Sequence, residues 1–421
     1  MGSEAGGREI YRGSLASISR KERAMSLTSI ELFAGAGGLA LGMSKAGFHH
    51  AAVLEWDHDA CETIRLNQKR GIPLVTNWSL LESDARKVDY RQYSDIAVIS
   101  GGPPCQPFSL GGNHKGLVDS RDMFPEAIRS VRELAPKAFI FENVKGLLRE
   151  SFASYVEYIV LQLTYPELKK RSKDDWGDHL ARLERHHTAA KKADQQSGLR
   201  YRVVFRLVNA ANYGVPQKRE RVFFVGFRED LGIEWSFPEP THSQDTLIRD
   251  QWVTGEYWDR HRIPTSERPK LPQRIIDRVR LMKCELFPLA KESAWVTVRD
   301  TLRDLPDPQV HPDNDIPNHQ YIPGARSYPG HVGSPFDEPA KTLKAGDHGV
   351  PGGENMLLYS DGSIRYFSIR EAARLQTFPD HYYFSGSWTE VMRQLGNAVP
   401  VRLAEVVASS VARTLRRSPH N

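Results

Sequence analysis

Cysteine is scarce in this chain: Cys61, Cys105 and Cys284 are the only three in 421 residues. An odd, widely spaced set cannot build a disulfide framework or a cysteine-based zinc site, and it fits a reducing compartment. No apolar run approaches the ~20 residues that cross a bilayer. The opening residues Met1-Gly2-Ser3-Glu4-Ala5-Gly6 lack the apolar centre of a signal peptide. The expected setting is therefore cytoplasmic, with no membrane partner. A strong net charge is also missing. With 57 Lys and Arg against 52 Asp and Glu, the chain permits a nucleic-acid partner without arguing for one. Internal repeats are absent. What remains is 40% hydrophobic and 26% charged, the composition of a globular protein long enough for two or three domains.

Residues 1–27 read as a polar lead-in, and from Thr28 strands alternate with helices. Ser29–Phe33, Ala51–Glu55, Ile96–Ser100 and Ala138–Phe141 are short apolar runs that predict buried strands. Helical spacing covers Leu39–Ala46 and Asp59–Lys69. This alternation predicts an α/β fold with a doubly wound parallel sheet, whose ligands bind outside the carboxyl ends of the strands. Tyr201–Asn209 and Arg221–Phe227 predict an antiparallel hairpin at one edge. Residues 165–200 carry nine Lys and Arg and six Asp and Glu, and read as a solvated, partly helical insertion. Between Ser236 and Val350 stand 14 of the 26 prolines. Proline withholds ladder donors, so loops and short strands are expected there. Helical spacing returns in Ile369–Thr377 and in Val401–Arg416, where Leu403, Val406, Val407, Val411 and Leu415 share a side.

The chemistry concentrates in short motifs. Gly101-Gly102-Pro103-Pro104-Cys105-Gln106 follows a predicted strand, and its rigid Gly-Pro setting can present a thiol nucleophile at a strand end. A buried, inert cysteine is the alternative reading of that residue alone. Phe33-Ala34-Gly35-Ala36-Gly37-Gly38 marks a strand-to-helix turn that lets a cofactor lie against the backbone. About 20 residues later, Glu55-Trp56 offers a ribose acceptor and a face for adenine stacking. Asp84 is a further acceptor. Glu142-Asn143-Val144 ends another strand and can place a carboxyl beside Cys105. In Gln217-Lys218-Arg219-Glu220-Arg221, strand periodicity puts Gln217, Arg219 and Arg221 on one face, where two guanidiniums suit an anion.

Taken in order, these motifs, with Arg370–Pro379 and Gly396-Asn397-Ala398-Val399-Pro400, resemble the series of the DNA (cytosine-5-)-methyltransferase family. The resemblance spans roughly 28–235 and 365–417. It implies a Rossmann-like S-adenosylmethionine-dependent methyltransferase fold with a smaller, loop-rich, mainly β target-recognition domain. The implied division is a catalytic and cofactor-binding domain over 28–235 with a charged insertion about 150–200, a target-recognition domain over 236–388, and a returning segment over 389–421. Cys105 would attack C6 of a flipped cytosine, Glu142 would hold N3 and the amino group, and Arg221 would fix the base. Arg219 would contact the backbone or the active-site loop, and is grouped with these catalytic residues. S-adenosyl-L-methionine would be lined by Phe33, Gly35, Ala36, Gly38, Glu55, Trp56, Asp84, Ala85, Pro104, Phe124 and Asn397. Ser109–Leu117 would form a loop that closes on the base. The implied partner is double-stranded DNA. The implied setting is a bacterial monomer acting at the nucleoid and paired in function with a restriction endonuclease. A tRNA cytosine-C5 methyltransferase and a catalytically silent DNA-binding regulator are the competing readings.

Overall fold

The computed structural model describes residues 27–105, 122–190, 198–284, 291–329, 331–345 and 355–418. The lead-in up to residue 26 and the glycine-rich stretch Ser109–Leu117 lie outside them.

The first half of the chain builds β1 (Leu27–Leu32), α1 (Gly38–Lys45), β2 (Phe48–Glu55), α2 (His58–Lys69), β3 (Leu80–Glu82), β4 (Val98–Gly101), α3 (Phe124–Leu134) and β5 (Ala138–Val144). Next come α4 (Ala153–Thr164), α5 (Trp176–Ala190), β6 (Tyr201–Asn209) and β7 (Glu220–Arg228). Seven strands form one sheet in the order β3-β2-β1-β4-β5-β7-β6. The first five run parallel, while β7 is antiparallel to both β5 and β6. The hairpin thus inserts its second strand inside the sheet and leaves its first at the edge.

Period-two alternation explains both faces. Ile99, Phe139 and Phe141 pack with α3, α4 and part of α5 on one side. Val98, Ala138 and Ile140 meet α1 on the other. The final helix joins that second layer, with Leu403, Val407, Val411 and Leu415 buried and Val406 half-buried. Strand order reverses between β1 and β4, so the carboxyl ends of β1, β2, β4 and β5 frame a crevice. Because β7 is antiparallel, its first residues lie at the same edge, where Arg221 pairs in register with Val144.

Three expectations need correction. The charged insertion is not wholly solvated. His179 and Leu183 of α5 are buried, and His179 Nδ1 meets the Tyr158 hydroxyl at 2.8 Å while its Nε2 meets the Leu168 carbonyl at 2.7 Å. The recognition region is loop-rich but not mainly β. Its described elements include α6 (Gln244–Arg249), α7 (Glu256–Arg260), α8 (Ile276–Lys283) and α9 (Val298–Leu302), and its strands are two or three residues long. Side chains rather than ladders start two of these helices: Ser243 caps α6, and Thr297 forms a capping box with Asp300 on α9. Finally, the return to the catalytic layers begins well before 389. Phe367, Phe378 and Tyr382 share a core with Ala34, Ala36 and Ala40, and Tyr382 donates to the Ala36 carbonyl at 2.7 Å. Helices α10 (Ile369–Leu375), α11 (Trp388–Asn397) and α12 (Val401–Arg417) complete this return.

Candidate functional site

Three strand ends deliver the thiol, the carboxyl and a guanidinium to one place. A Cβ on Gly101 would fall 2.5 Å from the Leu32 carbonyl oxygen, and one on Gly102 would fall 3.2 Å from Glu142 Oε2. The two glycines therefore let β4 approach β1 and let the Glu142 carboxyl settle over the turn that leads to Cys105. Asn143 Nδ2 ties this turn to β5 by donating to the Pro103 carbonyl at 2.9 Å. The Pro104 carbonyl accepts from the Met123 amide at 2.9 Å, which sets the cysteine turn against the start of α3. Cys105 is half-buried. Burial, aided by the charge of Asp122, pushes its thiol up to about 12.

Glu142 and Arg221 form a buried ion pair, with Nε 2.8 Å from Oε1 and side chains only 8% and 10% exposed. Burial pushes the Glu142 carboxyl up, and the Arg221 charge opposes that shift. The contact lacks the alignment of a hydrogen bond, so Oε1 has no aligned donor among the described residues. The charged run before and within β7 splits as strand periodicity demands. Gln217, Arg219 and Arg221 are buried, while Lys218 pairs with Glu338 and Glu220 with Lys145 outside.

Arg219 does something other than touch a reacting base. Its guanidinium donates to the carbonyls of Leu343 at 2.9 Å, Gly396 at 2.5 Å and Ala398 at 2.9 Å. Contact with the backbone was one of its two expected roles. The structure places its guanidinium on main-chain oxygens far along the sequence rather than beside Glu142. Gln217 assists by accepting from the Leu343 amide at 3.0 Å.

A second cluster occupies the ends of β1 and β2. Glu55 is buried and accepts from the amides of Gly35 at 2.6 Å, Trp56 at 2.8 Å and Asp57 at 2.8 Å. Burial raises its carboxyl and these amides oppose the rise. Phe33 and Gly35 both have positive φ, 57° and 53°. Nothing lies within 4 Å of a Cβ placed on Gly35, so the turn is open on that side. Trp56 is 71% exposed.

The C-5 cytosine-specific DNA methylase model matches residues 27–165 and 178–413. This chain belongs to that family. Among its relatives, the Type II methyltransferase M.Eco47II of Escherichia coli is 32% identical, with 92% of this chain and 79% of that protein aligned. The Type II methyltransferase M.NgoMIV of Neisseria gonorrhoeae is 29% identical, over 93% and 99%. The fold is shared with the solved S. pombe Dnmt2 methyltransferase, at TM-score 0.53 and 17% identity over 93% of this chain and 98% of that one. The methylase family uses S-adenosyl-L-methionine as methyl donor, and this chain is a DNA (cytosine-5-)-methyltransferase. The family match omits residues 166–177, within the charged insertion.

The second cluster suits that cofactor: an open glycine turn, an exposed indole and a buried carboxylate stand together. Other expected cofactor residues are placed differently. Ala36 is fully buried with its carbonyl taken by Tyr382. A Cβ on Gly38 would meet the Val399 carbonyl oxygen at 2.4 Å. These two shape the turn from behind. Phe124 is 1% exposed and packs edge-on against Phe224, 5.9 Å between centroids, which makes it core rather than lining. Ala85 is buried, and its carbonyl accepts from Arg129 Nη2 at 2.7 Å. Asp84 is bound by Arg86 through Nε at 2.9 Å and Nη2 at 2.6 Å. That pairing holds its carboxyl below the usual range, so a cofactor amine would share it. Pro104 and Asn397 are exposed. Sequence reading missed Tyr382, which lies outside every motif and bonds to a carbonyl 346 residues back. It also missed Asp122 and Tyr155, which carry no motif.

Proposed function

We propose that this enzyme methylates C5 of a cytosine flipped out of a specific double-stranded DNA sequence, through a covalent bond from Cys105 to C6. The observation that carries this reading is the convergence at Gly102. There the Glu142 carboxyl overlies the turn ending in Cys105 while touching Arg221.

Carbon 5 of cytosine is a weak nucleophile. A thiolate adding at C6 turns the ring enamine-like, so that C5 can attack an electrophile. The negative charge that develops at N3 needs a donor, and Glu142, raised by burial, can carry a proton there. Arg221 keeps the carboxyl aimed and adds positive charge beside the base. When bound, the cofactor supplies the sulfonium methyl as the electrophile. Phe33, Gly35, Glu55 and Trp56 would hold it at the ends of β1 and β2. Transfer of the C5 proton to water then re-forms the C5–C6 double bond as the C6–S bond breaks, so that Cys105 leaves as a thiolate and the N3 proton returns to Glu142. Because the target carbon is stacked in a duplex, the base must leave the helix, at a cost of a few kcal/mol.

Relatives named as Type II methyltransferases support a host-protecting role beside a restriction endonuclease. Among the described residues no helix is long and apolar enough to cross a membrane. The domain division that fits this role places target recognition between about 236 and 366.

Cys105→Ser tests the reading. Methyl transfer to unmethylated plasmid DNA should drop by at least ~10³-fold, as for loss of other catalytic nucleophiles, while the melting temperature holds. Transfer at the parental rate overturns the covalent step. Bisulfite sequencing of DNA from cells expressing the chain should reveal one protected sequence context. Methylation confined to tRNA would overturn the DNA substrate.

A further inference from the structure

The thiol at Cys105 needs to lose a proton, and its surroundings resist that loss. Glu142 cannot take the proton without giving up its own part, since it must bring a proton to the base. Other ionisable groups act on the thiol, Asp122 and Tyr155. Tyr155, in the first turn of α4, belongs to the core cluster on which Cys105 packs, and its hydroxyl acts against the rise that burial imposes on the thiol. Its hydroxyl also donates to Asp122 Oδ2 at 2.5 Å. Asp122 Oδ1 in turn accepts from the Phe124 amide at 3.1 Å, at the beginning of α3. Tyr155 is 6% exposed and Asp122 8%, so both groups are shielded from bulk water.

We propose that Tyr155 and Asp122 form a proton relay that activates Cys105, with Tyr155 in contact with the nucleophile and Asp122 as the positioned acceptor. The proposal rests on Cys105 being the nucleophile. In the forward step the S–H bond breaks and its electron pair stays on sulfur. The proton passes to Tyr155 Oη as the tyrosine's own proton passes to Asp122 Oδ2. When Cys105 is expelled at the end of the cycle, the same two transfers run backwards and restore the thiol. Nothing outside the protein is consumed.

The arrangement has an electrostatic logic. A charged Asp122 disfavours a thiolate nearby, so the trio comfortably holds one negative charge. Moving a proton from Cys105 to Asp122 moves that charge to the sulfur without adding a second. The new thiolate keeps Tyr155 beside it and lies near the start of α3, where the Met123 amide meets the Pro104 carbonyl and the helix dipole favours an anion. Other titratable groups around the relay are Tyr158 of α4, whose hydroxyl feels the Asp122 charge, His179 of α5 behind Tyr158, and Glu142 of β5 across the turn.

Two variants separate relay from scaffold. The full-length enzyme is alkylated with iodoacetamide in brief pulses across pH 7–12, a range that reaches the raised midpoint of Cys105, and each cysteine is followed by peptide mass spectrometry. Cys284, exposed in another region, is the internal reference. Tyr155→Phe should raise the Cys105 alkylation midpoint by about one pH unit and slow methyl transfer to plasmid DNA about 10-fold at neutral pH, since one pH unit is a factor of ten in ionisation. Asp122→Asn should lower the Cys105 midpoint, because a negative charge is gone, and yet slow methyl transfer at least 10-fold, because the acceptor is gone. Opposite movements of midpoint and rate are not expected from loosened packing. A Tyr155→Phe curve that superimposes on the parent, or an Asp122→Asn enzyme with the parental rate, overturns the relay. Alkylation reads the thiol whether or not it attacks DNA, so failure of the covalent reading shows separately, as methyl transfer that survives Cys105→Ser.

Discussion

The catalytic sheet and the 236–345 segment solve the problem of placing charge in different ways. In the sheet, ionisable groups lie deep: Glu31, Glu142 and Arg219 are buried in or beside central strands. In the 236–345 segment, charge stays in half-exposed pairs such as Arg299 with Asp337, or Lys218 and Arg274 on Glu338. Its compact core is small, built around Leu247, Tyr257, Trp258 and Trp295. A large aromatic cavity of about 860 Å³ lies beside that core, lined by Trp252, Phe336 and Tyr359 among others and containing none of the chemical residues. Buried charge is costly and holds one geometry. Exposed pairs cost little and fix little. Chemistry needs the first. A surface that must differ from one target sequence to another tolerates the second.

The comparison breaks most sharply at Glu142. Glu142→Gln removes the proton carrier and leaves Arg221 buried without its counter-charge. Methyl transfer should fall about 10²–10³-fold, the scale for losing one preorganised donor. Stability should drop by about 3–5 kcal/mol, the usual result of breaking a buried pair from one side. Denaturant melts and initial rates check both. An unchanged melt would mean that the pair is not desolvated as its 8% and 10% exposures imply.

Arg219 is where the two regions are joined. Arg219→Met keeps the bulk but leaves the carbonyls of Leu343 and Gly396 without their donor, and that of Ala398 with only a long bond from Gln376 Nε2 at 3.4 Å. At about 1–3 kcal/mol for each buried acceptor left unpaired, a loss near ~5 kcal/mol is expected. Protease cleavage should appear first around residues 340–345 and 396–400. Cleavage spread evenly over the sheet would show that the clamp is not local.

Much of this was legible beforehand because motif residues sit at strand ends, where a glycine, a carboxyl or a thiol stands out from apolar runs. Period-two reading placed Gln217, Arg219 and Arg221 on one face, and the structure buries all three. It could not show that Arg219 clasps carbonyls more than 120 residues away. Nor could it separate Phe33 and Gly35, which line an open turn, from Ala36 and Gly38, which brace it. Those distinctions depend on what packs behind the turn, namely Tyr382 and Val399. The proline-rich segment hid its helices because short capped turns leave almost no periodic signal.

Glu31 sharpens the comparison through pH. It is fully buried in β1, and burial pushes its carboxyl up to about 8 against the Ser100 hydroxyl bond, which lowers it. The folded value lies above the unfolded one of about 4.5. Its contribution is therefore full below about pH 4.5 and is lost as pH rises through about 8. Glu31→Gln should stabilise the enzyme by roughly 1 kcal/mol or less at pH 5 and by roughly 4–5 kcal/mol at pH 8.5, because each pH unit between the unfolded and folded values is worth about 1.4 kcal/mol. Urea melts at the two values check the sign. A gain that shrinks with pH would show that Glu31 is ionised and satisfied in the fold.

The smallest effect is expected across the border, at Lys218. Its ammonium meets Glu338 at 2.7 Å with both side chains about one-third exposed, and Arg274 already holds the other carboxylate oxygen. Water and salt screen such a pair, and two long side chains lose freedom to form it. Lys218→Met should therefore change stability by under ~1 kcal/mol, with the difference vanishing in high salt. The neighbour at 219, one residue along the same strand path but facing inward, should cost several times more. Equal losses at 218 and 219 would mean that the border is held by charge pairs at the surface. A large gap would place its strength in the buried guanidinium and its three carbonyls.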